Sequence, residues 1–246
     1  MASRKQSTAA IQASPNSRIL AIDIGGTGLK AAVLSYDGEM LTERVRIETP
    51  HPTTREALLD ALMKLVEPLP TYDLVSVGFP GVVRRGTIIT APNLGTEEMK
   101  GMDLAAELQT RFGKPTRVIN DADMQGCGAI EGKGLEMVVT LGTGFGSALF
   151  SDGELAPHLE LAHLPFRQNQ TFEQQIGDKT RKKIGRKRWN RRVKRAIEFL
   201  RTLTNFDKLY IGGGNATKID LKLDADVKTI SNDAGVKGGA RLWHKR

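Results

Sequence analysis

Residues 19–36 read ILAIDIGGTGLKAAVLSY, and residues 135–152 read LEMVVTLGTGFGSALFSD. Each is an apolar run, a glycine-rich turn and a second apolar run, the pattern of two strands joined by a tight hairpin. One such unit suits many folds. Two in one chain, each joined to helical segments, predict two similar α/β domains with a cleft between them.

The flanking segments fill in both halves. Asp37-Gly38 makes a turn into EMLTERVRIET, and residues 53–67 (TTREALLDALMKLVE) have helical spacing, with Thr53 or Thr54 as cap and Pro68 as terminator. Residues 73–79 (DLVSVGF) read as a buried strand, 102–112 as a helix, 116–120 as a strand, and a short helix starts at Asp121. Later come a strand over 207–214 and a helix from about Asn232 to Trp243. No low-complexity linker separates the halves, so a tight hinge is expected near residue 119. Residues 18–119, joined by the C-terminal helix 232–246, then form one domain; residues 120–231 form the other; and residues 1–17 form a disordered tail.

With 246 residues, 39% of them hydrophobic and 26% charged, the chain can build a real core. No apolar run approaches the roughly 18–20 residues of a membrane helix, and the first seventeen residues lack the apolar stretch of a secretory signal. A cytoplasmic protein without a membrane partner is expected. The single cysteine, Cys127, forbids an internal disulfide and any multi-cysteine metal site, so no zinc is expected; Cys127 itself reads as a small core residue.

The net charge of +8 is concentrated. Residues 179–195 (KTRKKIGRKRWNRRVKR) hold eleven basic residues and no acid, and without them the chain carries −3. Trp189, Val193, Ile197, Leu200 and Leu203 recur at helical spacing, so one side of this helix reads as core. A solvated opposite face explains polarity but not the absence of acids, since Glu–Lys pairs would serve solubility better. The segment is therefore expected to bind a polyanion in a salt-dependent way. Its one aromatic, Trp189, falls on the core side, so stacking platforms for nucleic acid are missing and no nucleic-acid partner is expected.

Asp23-Ile24-Gly25-Gly26-Thr27-Gly28 sets a carboxylate at a strand end before a glycine turn. Glycines let backbone N–H groups approach phosphate oxygens, and the carboxylate can hold Mg²⁺ through water. Leu141-Gly142-Thr143-Gly144-Phe145-Gly146 repeats the device, which strengthens a phosphate-binding reading over a mere turn. Neither has the spacing of a P-loop or the strand-to-helix setting of a dinucleotide fingerprint. Asn120-Asp121-Ala122-Asp123 lies where a strand ends and a helix begins. An Asp there can accept a proton from an attacking hydroxyl, and helix capping accounts for the same residues equally well. Pro92-Asn93 and Glu160-Leu161-Ala162-His163 supply groups that bind sugar hydroxyls, although a lone histidine is more often structural.

The ordered series DIGGTGLKAAV, GFPGVV, APNLG, INDAD, TLGTGFGSAL, ELAH, YIGGG and DAGVKGGA resembles the ROK family of sugar kinases, within the actin–hexokinase superfamily. The likeness runs from residue 18 to the end. Within the family the chain is most similar to the polyphosphate glucokinases, through the NDAD motif, the missing zinc insert and the basic Lys187-Arg188-Trp189 region. The resemblance implies a two-domain actin-like/hexokinase (ribonuclease H-like) fold. It implies phosphoryl transfer from inorganic polyphosphate, and from ATP as a second donor, to the 6-hydroxyl of glucose, with mannose as a further acceptor, Mg²⁺ as cofactor and a homodimer.

Carried over by position, Asp121 is the implied general base and Asn120 contacts a neighbouring hydroxyl. Gly81 (backbone), Asn93, Glu160 and His163 complete the hexose pocket. Asp23 holds Mg²⁺, while Gly25, Gly26, Thr27, Gly28 and Lys30 form the first phosphate turn. Thr143, Gly144 and Gly146 form the second, and Gly212, Gly213 and Gly214 face a nucleotide's adenosine end. Arg186, Lys187, Arg188, Arg191 and Arg192 form the polyphosphate track. Two departures stand out: the cysteine cluster that binds zinc in many members is absent, leaving His163 for the sugar, and Ala162 replaces a usual glycine. The rival classes are an ATP-only hexokinase and a sugar-sensing regulator, but only seventeen residues precede the first strand, too few for a helix-turn-helix domain.

Overall fold

The computed structural model describes residues 11–231 and 234–244, so residues 1–10 of the expected tail and Asn232 and Asp233 of the expected last helix lie outside it. The chain forms two compact units, one comprising Gln125–Ala234 and the other the residues before and after it.

The first unit begins with the predicted hairpin, β1 (Ile19–Ile24) and β2 (Leu29–Leu34), extended by β3 (Val45–Ile47). Helix α1 (Arg55–Val66) follows, its N-terminus capped by the Thr54 hydroxyl, which accepts from Ala57 N. Strand β4 (Leu74–Phe79) then pairs parallel with β1. A small hairpin of β5 (Val83–Arg84) and β6 (Thr87–Ile88) leads to α2 (Thr96–Met99), α3 (Leu104–Phe112) and β7 (Thr116–Asn120), which pairs parallel with β4. The sheet order is β3-β2-β1-β4-β7. Leu20, Ile22, Ile24, Val75, Val77 and Phe79 bury one face under Leu58, Leu62, Leu104 and Leu108 of the helices.

Helix α4 (Asp121–Cys127) crosses from the first unit into the second, so the boundary falls after Met124, inside a helix, rather than at the strand end near residue 119. Packing explains the shift. A Cβ on Gly78 of β4 would come within 2.9 Å of Met124 Cε and 3.3 Å of Asp121 Cα, so the first turn of α4 lies directly on that strand.

The second unit repeats the plan. Strands β8 (Leu135–Leu141) and β9 (Phe145–Ser151) form the second hairpin, with β10 (Glu154–Leu155) at its edge. A ribbon of β11 (Pro165–Arg167) and β12 (Gln170–Thr171) precedes α5 (Phe172–Ile176), α6 (Asp178–Ile184) and α7 (Arg186–Thr204). Strands β13 (Lys208–Gly212) and β14 (Val227–Thr229) add in parallel, giving the order β10-β9-β8-β13-β14. Both sheets thus join an antiparallel hairpin to two parallel strands in the same order. Trp189, Val193, Ile197 and Leu200 of α7 pack on Met137, Val139, Leu209 and Ile211 of the sheet.

The basic segment departs from the single helix expected. It breaks at Gly185, whose φ of +80° favours glycine, into α6 and α7. Leu203, read as a core residue, is 50% exposed and lines an apolar cavity of about 390 Å³ with Leu149, Leu159 and Leu164. Among the described residues no helix is long and apolar enough to cross a membrane.

Helix α8 (Ala234–Arg241) covers the other face of the first sheet, where Val236, Ala240 and Trp243 meet Ile19, Ala21, Ala32 and Leu34. Residues 11–13 of the expected tail are tied to this layer instead: Ala13 N donates to Trp243 O, and Arg117 donates to Ile11 O. One serine fastens the helix. Ser76 Oγ donates to Gly239 O at 2.6 Å and accepts from Trp243 Nε1 at 2.8 Å, all buried. Ser76→Ala strands the Trp243 N–H in an apolar layer, so it is expected to lower stability by about 1–3 kcal/mol. Urea unfolding followed by tryptophan fluorescence measures the shift.

Candidate active site

In the first unit, Asp23 ends β1 with its carboxylate 2.9 Å from Lys30 Nζ, directly across the hairpin. The turn between them closes through Gly25 N, which donates to Gly28 O at 3.0 Å. The segment after β3 grips this turn from outside. Thr49 Oγ1, buried, donates to Gly25 O at 2.6 Å, and His51 Nε2 lies 3.1 Å from Gly26 O. Asn93 sits beside Gly26, its Cβ 3.2 Å from the position a Cβ there would take. The sequence reading singled out neither Thr49 nor His51; their role depends on β3 pairing with β2, which local pattern does not reveal.

Asn120, the last residue of β7, is 5% exposed and uses both ends of its amide. Its Oδ1 accepts from Ala122 N at 2.8 Å and Asp123 N at 3.2 Å, capping α4. Its Nδ2 donates to Gly81 O at 3.1 Å. The capping that the sequence left open for Asn and Asp alike belongs chiefly to Asn120. Asp121 therefore starts the helix with a partly exposed carboxylate, one oxygen of which accepts from Ala122 N at 2.9 Å. The first unit thus gathers Asp23, Lys30, the glycine turn and Asn93 around one strand end, and Gly81, Asn120 and Asp121 around another.

In the second unit the turn at residues 142–146 is bound on several sides. Gly142 N donates to Gly144 O, Gly146 N donates to Thr140 Oγ1, and Gly142 O accepts from Asn215 Nδ2 and from Asp178 N. Glu173 of α5 lies over Gly144, Oε1 being 3.2 Å from where a Cβ would stand. Gly213, at the end of β13, packs on Leu141. The basic segment begins here. Asp178, first residue of α6, also binds Lys182 and Arg181 at 2.7 Å, which together hold its carboxyl down at about 2.

Lys187, Arg188 and Arg191 stand exposed on α7, opposite the buried Trp189 and Val193. Arg186 and Arg192 are tethered: Arg186 Nε donates to Lys218 O and Arg192 Nη1 to Gln175 O. Burial pushes the Arg192 guanidinium below its usual range, and Arg167 beside it acts in the same direction. Arg167, on β11, is a further cation on this face that no sequence pattern marked. Glu160 precedes a single 3₁₀ turn, Leu161–His163, in which Ala162 is buried and His163 exposed. The His158 ring, 3.8 Å from its carboxylate, holds Glu160 below the usual range against the effect of burial, and His163 adds to this.

Among the described residues no group of three or more His, Cys, Asp or Glu could hold a metal ion. The donor set fits magnesium only as an ion carried largely by phosphate oxygens and water, with Asp23 as the one protein carboxylate at the first turn.

The sequence pattern of the ROK family matches residues 19–164. The polyphosphate glucokinase of Mycobacterium tuberculosis is 28% identical over 239 residues, covering 89% of this chain and 88% of its own. The crystal structure of an inorganic polyphosphate/ATP-glucomannokinase from Arthrobacter sp. strain KM superimposes with a TM-score of 0.83 at 31% identity, covering 92% of this chain and 97% of that one. A ROK family glucokinase from Streptomyces griseus, in complex with glucose and AMPPNP, gives a TM-score of 0.78 at 19% identity over 92% of this chain and 99% of its own, a likeness of fold. The architecture is the two-domain actin-like/hexokinase fold.

Asn120→Ala removes both the cap of α4 and the tie to Gly81. It is expected to lower stability by about 1–2 kcal/mol, read from the thermal midpoint.

Proposed function

The chain belongs to the ROK family and is a sugar kinase of it, and from that premise we propose that it transfers a phosphoryl group from inorganic polyphosphate to the 6-hydroxyl of glucose. One observation carries the choice of donor. The acid-free run of cations starts on the second glycine turn itself, where Asp178 N donates to Gly142 O at 3.0 Å, and continues along the exposed side of α7. A polyphosphate chain bears about one charge per phosphate and extends beyond the reacting group, so it needs such a track. ATP needs a pocket for adenine and gains little from it. The likeness to relatives named for polyphosphate supports the same reading.

In this mechanism Asp121 accepts the proton of the glucose 6-hydroxyl as that oxygen attacks the terminal phosphorus. The Asn120 cap keeps the carboxylate at the first turn of α4, and the second Nδ2 hydrogen of Asn120 is left for a sugar hydroxyl. Asn93, the Gly81 backbone, Glu160 and His163 are the groups proposed to bind the hexose. Glu160, kept ionised by His158 and His163, is suited to accept hydrogen bonds from a pair of hydroxyls. The two glycine turns and Lys30 receive the donor phosphates. Asp23 would hold magnesium through water, and the ion would neutralise charge on those phosphates. Phosphoryl transfer asks for positioning and electrostatics more than covalent chemistry, which matches a site built from turns and helix ends.

The deciding assay is glucose 6-phosphate formation with long-chain polyphosphate and with ATP at several salt concentrations. Polyphosphate turnover that falls steeply with salt is the expected result; turnover with ATP alone leaves a sugar kinase and removes the track. Asp121→Asn is expected to lower turnover about 10²- to 10⁴-fold with glucose affinity nearly unchanged, as measured by calorimetry. Replacing Arg186, Lys187, Arg188, Arg191 and Arg192 together by glutamine raises KM for long-chain polyphosphate far more than for ATP; an equal loss for both donors counts against the track. Mannose, tested in the same assay, defines the breadth of the acceptor site.

A further inference from the structure

Taking the first glycine turn as a donor-phosphate site, we infer that Arg46 of β3 binds the donor there and that it, rather than Lys30, supplies the net positive charge. Strand register makes the first case. Asp23 lies opposite Lys30 in the β1–β2 pair, and Lys30 lies opposite Arg46 in the β2–β3 pair. Residues directly opposite share a face, so the three side chains form one row across the sheet. Lys30 Nζ is 2.9 Å from the Asp23 carboxylate, and the two charges compensate each other. Among the protein's own groups in the row, the charge left over is that of Arg46.

Gly28 makes the second case. Its φ is not in the left-handed region, so the backbone conformation does not call for glycine. What glycine leaves here is room for the arginine: a Cβ on Gly28 would lie 2.8 Å from Arg46 Nε and 2.9 Å from Nη2, so a side chain there displaces the guanidinium from the turn. Glycine at this position admits a guanidinium onto the turn, where a phosphate oxygen would otherwise have met bare backbone.

Arg46 is exposed and makes no hydrogen bond or ion pair with another described residue, so its donors face solvent. Its seat is nonetheless built, because Thr49 and His51, three and five residues further along, hold the carbonyls of Gly25 and Gly26. One short segment therefore sets both the turn and the cation above it. A guanidinium offers a planar fork of donors that matches two oxygens of one phosphate, or one oxygen on each of two neighbours. The chemistry recognised is a condensed phosphate of at least two units, common to polyphosphate and a nucleoside triphosphate. Arg46 consequently serves both donors, unlike the cations of α7.

The test uses tripolyphosphate with Mg²⁺ as the probe, its binding to the full chain measured by calorimetry in the presence of glucose. Arg46→Met keeps the length of the stem and removes the charge. It is expected to weaken tripolyphosphate binding about ten- to hundredfold and to reduce the salt dependence by about one ion. Glucose affinity and the thermal midpoint stay as in the parent. Arg46→Lys restores charge without the fork and recovers binding in part. Gly28→Ala keeps the arginine but crowds it, and is expected to weaken binding in the same direction, while the unchanged thermal midpoint of Arg46→Met guards against a merely unfolded variant. Parent-like affinity and salt dependence in Arg46→Met overturn the inference and leave the donor site standing. A parent protein that binds no tripolyphosphate overturns the donor-site reading itself, and the role of Arg46 with it.

Discussion

The amide of Asn120 is the contact on which the junction of β7, α4 and the loop after β4 depends. It closes the last strand of the sheet, caps the helix that starts one residue later and reaches the Gly81 carbonyl, using donor and acceptor at once. Because that side chain is 5% exposed, leaving either end unpaired is costly, and the strand end, the helix start and the loop after β4 hold one geometry. Asp121 gains its position from this arrangement. Its carboxylate stands at the first turn of the helix, with most of the capping done by its neighbour.

The charge of the molecule follows a comparable economy. Eleven cations sit in seventeen residues, but they are not equivalent once folded. Asp178, just outside the run, neutralises Arg181 and Lys182 at the end nearest the second glycine turn. Arg186 and Arg192 spend donors on backbone carbonyls, while Lys187, Arg188 and Arg191 face solvent. The break at Gly185 divides the segment into a short helix anchored on the turn and a long one carrying the exposed charge. Its buried face, centred on Trp189, is held by core packing and by the Trp189 Nε1 bond to Ile176 O. The charges are thus displayed by an element held in place by core packing.

Much of this was legible in one dimension because it is local. The alternation of apolar runs and glycine turns predicts both hairpins, and both form at the expected residues. Thr54 caps α1 as its chemistry requires. The misreadings share a cause, which is that each depends on something distant in the chain. Leu203 keeps the helical spacing of a core residue, yet it borders an apolar cavity with Met137, Leu149, Leu159 and Leu164 instead of close packing, so it stays half exposed. Residues 11–13 look like tail, and they are retained because Trp243 and Arg117 present partners to their backbone. The domain boundary moves into α4 because Gly78, more than forty residues earlier, lets the first turn of that helix lie on β4.

By itself, then, the sequence determined the element types, the internal repeat, the concentration of positive charge and the two glycine turns, the first with Asp23 beside it, since each is written in spacing of 2 or 3.6 residues or in a contiguous motif. Tertiary structure alone decided how those groups are partnered. Whether Lys30 is neutralised, whether Arg46 stands over Gly28, and whether Asn120 or Asp121 caps the helix all turn on strand register and on packing between segments remote in sequence. Register is set by the burial of whole faces rather than by any single residue, and for that reason no local pattern carries it.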